Sequence, residues 1–269
     1  MFSLKKFAGY AIASVLTLGP TVVFAQTYIT PSTPGWSFVT ETPTGSGAFV
    51  NGPGVPPSGS PGSIQLTVGQ PGGQAFLTAQ YGGVRLDQIK GLSYNTYVVS
   101  SALPETASLQ FDFQPGVPST GYQGRAVFAP SLIPGAVTVG SWQTWNPMTQ
   151  RAWWGTSSNN VRLLSTVCTQ AAPCTFAEML AAFPNSTVLS PGAFGFKVGN
   201  SNSAAVVSVD SFVIGTTGAA GPTTRYNFAL ADPIVARAAT MIPALDSSAL
   251  LLLAMLASLV GVFSLRKRF

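Results

Sequence analysis

The stretch Leu109-Gln110-Phe111-Asp112-Phe113-Gln114 decides the fold class, because apolar and polar side chains alternate through it without interruption. In an extended strand, successive side chains point to opposite faces of a sheet, so Leu109, Phe111 and Phe113 share one face. The polar residues share the other face. The stretch therefore predicts a β-strand with one face packed on a core and one face in solvent.

Short apolar segments of the same kind recur on both sides of this stretch and are separated by Gly- and Pro-rich turns. The predicted strands are Trp36–Val39, Ile64–Val68, Phe76–Thr78, Leu92–Val99, Arg125–Phe128, Val137–Trp145, Phe194–Val198, Val206–Ile214 and Thr224–Phe228. About ten strands without helical spacers predict an all-β fold, an antiparallel two-sheet sandwich. We expect Gln26–Gly35 to be a Pro-containing leader and Phe49–Gly62 to be a surface loop.

One helix is predicted within the sandwich. Thr175-Phe176-Ala177-Glu178 has the spacing of a capping box, in which the Thr side chain accepts the amide three residues on and the Glu reaches back. Pro184 ends the apolar pattern that follows. We expect a helix of about two turns that closes one end of the sandwich, and capping accounts for Glu178 without a catalytic role.

The two cysteines of the chain, Cys168 and Cys174, lie just before this helix. Two cysteines so close in sequence favour a disulfide bond when a chain is exported, which the two ends of this chain indicate below. A metal pair is the alternative, but the chain has no histidine and no further cysteine to complete a zinc site. The disulfide is the preferred interpretation.

The two ends of the chain indicate export. Residues 1–25 combine Lys5 and Lys6 with an apolar stretch and a small-residue cleavage site, the pattern of a secretory signal peptide. Near the other end, Ala249–Leu265 carries no charge and is long enough to cross a bilayer as a helix. The basic residues Arg266, Lys267 and Arg268 follow it and favour a cytoplasmic C-terminus. We therefore divide the chain into a signal peptide (1–25), a sandwich domain (26–240) and an anchor segment (241–269).

The composition between these segments excludes several functions. Five of the 13 basic residues lie in the two end segments, which leaves eight basic and seven acidic residues in the domain. Nucleic acid is not expected as a partner, because phosphate binding needs clustered Lys and Arg. Without histidine, Ser-His-Asp and Cys-His catalysis is excluded, and the scattered carboxylates suggest no catalytic pair. We expect no enzyme activity, no cofactor and no metal.

Four tryptophans within thirteen positions form the candidate ligand-binding site. They are Trp142, Trp145, Trp153 and Trp154, with Gln143 and Arg151 as polar neighbours. Flat indoles beside hydrogen-bonding side chains suit stacking against a sugar ring. The alternative is that the rings fill the core, as large aromatic residues usually do. Adjacent Trp153 and Trp154 cannot both point inward if the chain is extended there.

The C-terminal segment resembles the IPTL-CTERM and PEP-CTERM sorting signals of Gram-negative bacteria. The resemblance is carried by Ile242, Pro243, Ala244 and Leu245, by the apolar helix, and by the terminal basic cluster. It implies anchoring in the inner membrane with the domain facing the periplasm. It also implies processing by an exosortase-type enzyme and delivery to the cell surface or the extracellular space.

The middle of the chain resembles a jelly-roll, carbohydrate-binding-module-like domain of secreted bacterial proteins that has no assigned activity. The motifs are Leu86–Tyr94, Gly140–Trp145, the Cys-x5-Cys pair with its helix, and Phe183-Pro184-Asn185. We expect a surface-anchored, non-enzymatic module that contributes to envelope, adhesion or extracellular matrix. A polysaccharide-binding, lectin-like module is the alternative, and a glycan-active enzyme is a third hypothesis.

Overall fold

The computed structural model describes residues 25–232, apart from 58, 60, 71, 117–123, 157–162, 200–203 and 218–222. The predicted signal peptide up to residue 24 and the predicted anchor segment at 241–269 lie outside these residues. None of the helices in the described part of the chain has the length and apolar character needed to cross a membrane.

In the described residues, fourteen strands form two seven-stranded sheets. Sheet 1 has the long strand β13 at its centre, with β4 and β14 hydrogen-bonded along one side of it and β6 along the other. Outer strands β3, β9 and β1 extend the sheet from β4, β6 and β14. The bounds are β1 Ala25–Ile29, β3 Gly45–Asn51, β4 Gly62–Val68, β6 Ile89–Ser101, β9 Trp142–Trp145, β13 Ala205–Thr216 and β14 Thr224–Phe228.

Sheet 2 carries the candidate site. Its strands follow the spatial order β10-β8-β7-β12-β5-β2, and β11 pairs with one end of β7. All of its pairings are antiparallel. The bounds are β2 Trp36–Thr40, β5 Gln74–Thr78, β7 Ser108–Gln114, β8 Arg125–Phe128, β10 Trp153–Gly155, β11 Thr187–Val188 and β12 Phe194–Val198.

The core lies between the inner faces of the two sheets and is rich in aromatic rings. Its largest fully buried side chains are Trp153, Tyr94, Phe76, Phe111, Phe128, Phe176, Phe194, Phe196, Phe212 and Phe228. Phe111 stacks on Phe194, with ring centroids 5.6 Å apart, and contacts Trp153 at the same distance. Packing of this kind confirms the all-β, two-sheet sandwich that the alternating pattern predicts.

The polar face of β7 differs from the prediction. Leu109, Phe111 and Phe113 are buried in the core, as the alternation requires. Asp112 and Gln114 are half-buried, but Gln110 on the same outer face is only 3% exposed. The outer face of sheet 2 is therefore covered around Gln110, where the prediction expected open solvent.

The predicted helix and disulfide are both present. Helix α2 spans Phe176–Ala182, and its N-cap Thr175 makes the complete capping box with Glu178. Cys168 and Cys174 are disulfide-bonded, with Cα atoms 5.2 Å apart. A second short helix, α1 at Leu163–Val167, precedes the disulfide and was not predicted from the sequence.

Two predicted loops contain strands instead. Residues of the expected leader form β1, which runs parallel to β14, with Tyr28 opposite Asn227. The expected loop Phe49–Gly62 begins inside β3, where Phe49 pairs with Ile64. Both strands depend on partners elsewhere in the fold, and local composition does not reveal such partners.

Candidate functional site

A groove of about 760 Å³ lies on the outer face of sheet 2. Its floor consists of outward-facing residues from four neighbouring strands: Ser108 and Gln110 of β7, Arg125 and Val127 of β8, Trp154 of β10 and Lys197 of β12. Its walls come from three loops: Leu103–Thr106 before β7, Ala129–Leu132 after β8, and Gln170 in the disulfide loop.

Strand register aligns the floor into one row across the whole sheet. Trp154 pairs with Val127, Val127 with Gln110, Gln110 with Gly195, Gly195 with Leu77, and Leu77 with Ser37. At about 4.8 Å between neighbouring strands, this row of six residues is roughly 24 Å long. Gly195, in the middle of the row, has no side chain to rise from the floor.

A second depression, of about 500 Å³, lies over the far end of the same row. It includes Ser37 and Val39 of β2 and Leu77 of β5, which face outward on the same side of sheet 2 as the groove. The outer face of sheet 2 is thus concave at both ends of one row of side chains.

Two hydrogen-bond donors in the groove have no protein partner. The indole Nε1 of Trp154 and the amide Nε2 of Gln110 are both buried, and neither donates to any described residue. Trp154 is half-buried and makes no ring contact with another described aromatic residue. Unpaired buried donors cost free energy unless something else accepts their hydrogen bonds, so these two nitrogens are candidate donors to a polar ligand or to water.

Arg125 and Lys197, the two basic residues among the described residues that line the groove, are held in ion pairs. Glu41, which follows β2, accepts Arg125 Nη1 at 2.8 Å on one carboxylate oxygen and pairs with Lys197 through the other. The Nε of Arg125 also lies 3.2 Å from Asp112 Oδ1. Partial burial raises the pKa of the Glu41 carboxyl, but hydrogen bonds and charge attraction from Lys197 and Arg125 outweigh this effect. The pKa therefore lies below its usual value, and Glu41 stays ionised near neutral pH.

Among the described residues, Glu105 is the one carboxylate that lines the groove. Its Oε1 accepts the backbone N–H of Gly199 at 3.0 Å, which fixes the loop before β7 against the end of β12. In the described residues, no three acidic or cysteine side chains are close enough together to hold a metal ion.

The four tryptophans of the predicted site do not form one surface. Trp153 is fully buried and donates its indole N–H to Pro147 O, and Trp145 is 3% exposed and donates to Thr96 Oγ1. Trp142 is half-buried on the edge strand β9 of sheet 1, contacts Tyr97, and donates to Pro53 O. Trp154 lines the groove. It points outward because successive side chains along β10 alternate and its neighbour Trp153 points into the core.

The two polar residues predicted beside the tryptophans make internal contacts elsewhere. Gln143 on β9 accepts the backbone N–H of Thr138 through its Oε1 and donates through its Nε2 to Ala136 O. Arg151 donates to Pro173 O at 3.0 Å and pairs with Glu178 at the start of α2. Neither of them lines the groove.

Sequence reasoning missed most of the groove. The alternating stretch Leu109–Gln114 places Gln110 on its polar face. This position is the one feature of the sequence that indicates Gln110 as a candidate site residue. Arg125, Lys197 and Glu41 come from distant parts of the chain, and Glu41 is 84 and 156 positions from its two partners. Only the strand order of sheet 2 brings them together.

No protein-family model matches the chain, and no curated protein is similar to it in sequence. Solved structures with a similar course of the backbone include the family 11 carbohydrate-binding module of the cellulosomal cellulase Lic26A-Cel5E of Clostridium thermocellum. The alignment covers 70% of this chain and 91% of that module, with 11% identity and a TM-score of 0.41.

A second structure of a family 11 module from Clostridium thermocellum holds a β-1,3-1,4-mixed-linked tetrasaccharide. The alignment covers 68% of this chain and 89% of that module, with 10% identity and a TM-score of 0.41. A third structure bears on the promiscuous specificity of carbohydrate-binding modules from the β-sandwich superfamily. Its alignment covers 66% of this chain and 56% of that chain, with 12% identity and a TM-score of 0.33. By its own strand pairing, the chain is an all-β sandwich with a groove across the outer face of one sheet.

Proposed function

We propose that the sandwich is a polysaccharide-binding module and that it holds a glycan chain in the groove of sheet 2. The observation that carries this proposal is the pair of buried donors without partners, Trp154 Nε1 and Gln110 Nε2, on the floor of an open groove. Both nitrogens have almost no accessible surface, so we propose that the two side chains turn toward the ligand, whose hydroxyl and ring oxygens then accept their hydrogen bonds.

The shape of the floor suits an extended ligand. Trp154 offers an amphipathic ring at one end of the row, and rings of this kind anchor ligands through a large contact area with little loss of conformational entropy. The row continues over Gly195 to the second depression at Leu77 and Ser37. A chain of sugar units lying across the strands at the Trp154 end would contact Trp154, Val127 and Gln110 of this row.

We propose binding without catalysis. Hydrolysis of a glycosidic bond uses two carboxyl groups about 5–10 Å apart on opposite sides of the bond. Among the described residues that line the groove, Glu105 is the single carboxylate, and it is bonded to Gly199 N. Glu41 and Asp112 lie next to the groove, but both are paired with Arg125.

The test compares two tryptophans with similar burial and different positions. Full-length protein, Trp154→Ala and Trp142→Ala are titrated with a panel of soluble polysaccharides by affinity electrophoresis and calorimetry. We expect the unchanged protein to bind at least one polymer. Trp154→Ala should weaken that binding by about tenfold or more, the effect of losing a central aromatic anchor. Trp142→Ala should bind as the unchanged protein does, because Trp142 lies on the other sheet.

Two results would contradict the proposal. One is the absence of binding to every polymer of the panel by protein whose circular dichroism shows a folded sandwich. The other is binding that survives Trp154→Ala and is lost in Trp142→Ala.

We also propose that the module is exported and displayed at the cell surface through the segment that contains Ile242–Leu245 and Arg266–Arg268. The support is the apolar run between these motifs and the signal-peptide pattern at residues 1–25. Deletion of residues 242–269 should move the protein from the cell-associated fraction to the medium or periplasm, as measured by immunoblotting of fractionated cells. Unchanged attachment after the deletion would refute the anchoring role.

A further inference from the structure

The charges of the groove point to the class of glycan that it accepts. In the described part of the chain, Arg125 and Lys197 are the two basic residues that line it, and their side chains are 23% and 15% exposed. Unpaired, they would attract carboxylate or sulfate groups on a ligand, because guanidinium and ammonium groups bind such anions strongly. Neither cation is left unpaired by the protein.

Glu41 pairs with both of them, one carboxylate oxygen for each. It follows β2, at one edge of sheet 2, while Arg125 lies on β8, with β5, β12 and β7 between those two strands. The ion pairs therefore cross the outer face of the sheet, where the proposed ligand would lie. Asp112 accepts the Nε–H of Arg125.

The balance of formal charge among the described residues of the groove is not positive. There, two cations, Arg125 and Lys197, are matched by three carboxylates, those of Glu41, Asp112 and Glu105. An acidic glycan would meet these carboxylates, or it would have to displace Glu41 and leave a partly buried carboxylate without its partners. Both events oppose binding. Hydroxyl groups of an uncharged glycan can accept hydrogen bonds from the paired cations without displacing Glu41.

We propose that Glu41 is the specificity-determining residue of the groove and that, by neutralising Arg125 and Lys197, it reserves the groove for uncharged glycans over uronates and sulfated chains. This inference rests on the proposed function. Removal of the Glu41 charge should leave Lys197 without this carboxylate and Arg125 beside Asp112, and so turn the groove toward acidic glycans.

The experiment uses matched polymers and matched variants of the full-length protein. Each neutral polysaccharide of the panel is tested beside the same polymer after oxidation of its C6 hydroxyls to carboxylates. The unchanged protein should bind a neutral polymer at least about tenfold more tightly than its oxidised form, because like charges brought together at an interface are strongly unfavourable. Glu41→Gln should abolish or reverse this preference, and its binding to the oxidised polymer should weaken as salt is raised.

Two further variants separate this role from a merely structural one. Asp87→Asn removes the same charge from an exposed pair with Arg85 outside the groove, so it should leave the preference unchanged. The double variant Glu41→Gln/Lys197→Gln removes one negative and one positive charge and leaves Arg125 beside Asp112. It should restore the preference for the neutral polymer, even where Glu41→Gln alone is less stable.

The outcomes distinguish this inference from the proposed function. Equal or tighter binding of the oxidised polymer by the unchanged protein would overturn the inference and leave polysaccharide binding in place. A preference for neutral polymer that Glu41→Gln does not alter would likewise overturn the role of Glu41. Failure to bind any polymer, neutral or oxidised, would instead overturn the proposed function itself.

Discussion

Gln110 combines an unpaired buried donor with a position on the floor of the groove. Its side chain is almost wholly buried, yet its amide nitrogen makes no hydrogen bond with the described protein. A buried donor without a partner costs about 1–3 kcal/mol of folding free energy. Residues that break a packing rule without local compensation are expected mainly at functional sites.

Replacement of Gln110 by Leu should therefore separate stability from binding. Leu has a similar volume and no donor to satisfy, so we expect the free energy of unfolding to stay the same or to rise by about 1 kcal/mol. Glycan affinity should fall, because the ligand loses a hydrogen bond at the centre of the row. Urea unfolding and calorimetry measure the two effects, with Gln114→Leu at the end of the same polar face as the control. A clear loss of stability in Gln110→Leu with unchanged affinity would assign a structural role to this amide.

At the level of elements, the short strand β10 places Trp154 and is supported from both sides. It pairs with β8 along one side, and on the other side Trp153 exchanges backbone hydrogen bonds of 2.9 and 2.8 Å with Cys174. Gly155 N also donates to Cys168 O at 3.0 Å. The disulfide thus joins the two backbone positions that hold the outer side of β10, and Gln170 in the same loop forms part of the groove wall.

The double variant Cys168→Ala/Cys174→Ala should lose about 2 kcal/mol of unfolding free energy, the chain-entropy value for so short a loop. Urea unfolding of the variant measures this loss. Dithiothreitol should lower the stability of the unchanged protein toward that of the variant and should have no effect on the variant itself. Equal stability of variant and oxidised protein would mean that hydrogen bonds alone support β10.

Elements with a local signal were predictable from the sequence, and elements that depend on distant partners were not. The alternation in β7 and the capping box of α2 each depend on a few adjacent residues. The predictions of this strand and this helix are both confirmed. Strand β1 was missed because its partner β14 lies at the other end of the domain. The four tryptophans predicted to form one site lie apart, because β9 and β10 are close in sequence but belong to different sheets.

Across the whole molecule, the ion pairs of Glu41 connect one edge of sheet 2 with β12 in the middle of the sheet and with β8 next to the other edge. Because the pKa of Glu41 is lowered in the folded state, its ionised form is favoured by folding. This stabilisation is complete above the pKa of the unfolded chain, about 4.3, and is lost as the pH falls through the lower pKa of the folded protein.

Acid should therefore weaken the unchanged protein more than Glu41→Gln. Thermal unfolding between pH 6 and pH 3 should show the two proteins converging in stability as the pH falls. The contribution that disappears is on the order of 1 kcal/mol, because these side chains are only partly buried. Parallel curves for the two proteins over this range would mean that the carboxyl of Glu41 has an ordinary pKa and does not join the strands.

The central claim, that a glycan binds on the outer face of sheet 2 beside Trp154, can be tested by observing the indole N–H groups during a titration. The chain has five tryptophans, so a spectrum of ¹⁵N-labelled protein should contain five indole signals. The indole N–H groups of Trp142, Trp145 and Trp153 already donate within the protein, whereas that of Trp154 does not. We predict that a bound oligosaccharide shifts the Trp154 signal in a saturable way and leaves those three nearly unchanged. Saturable binding with an unmoved Trp154 signal, or with the main shift at Trp142, would contradict the account.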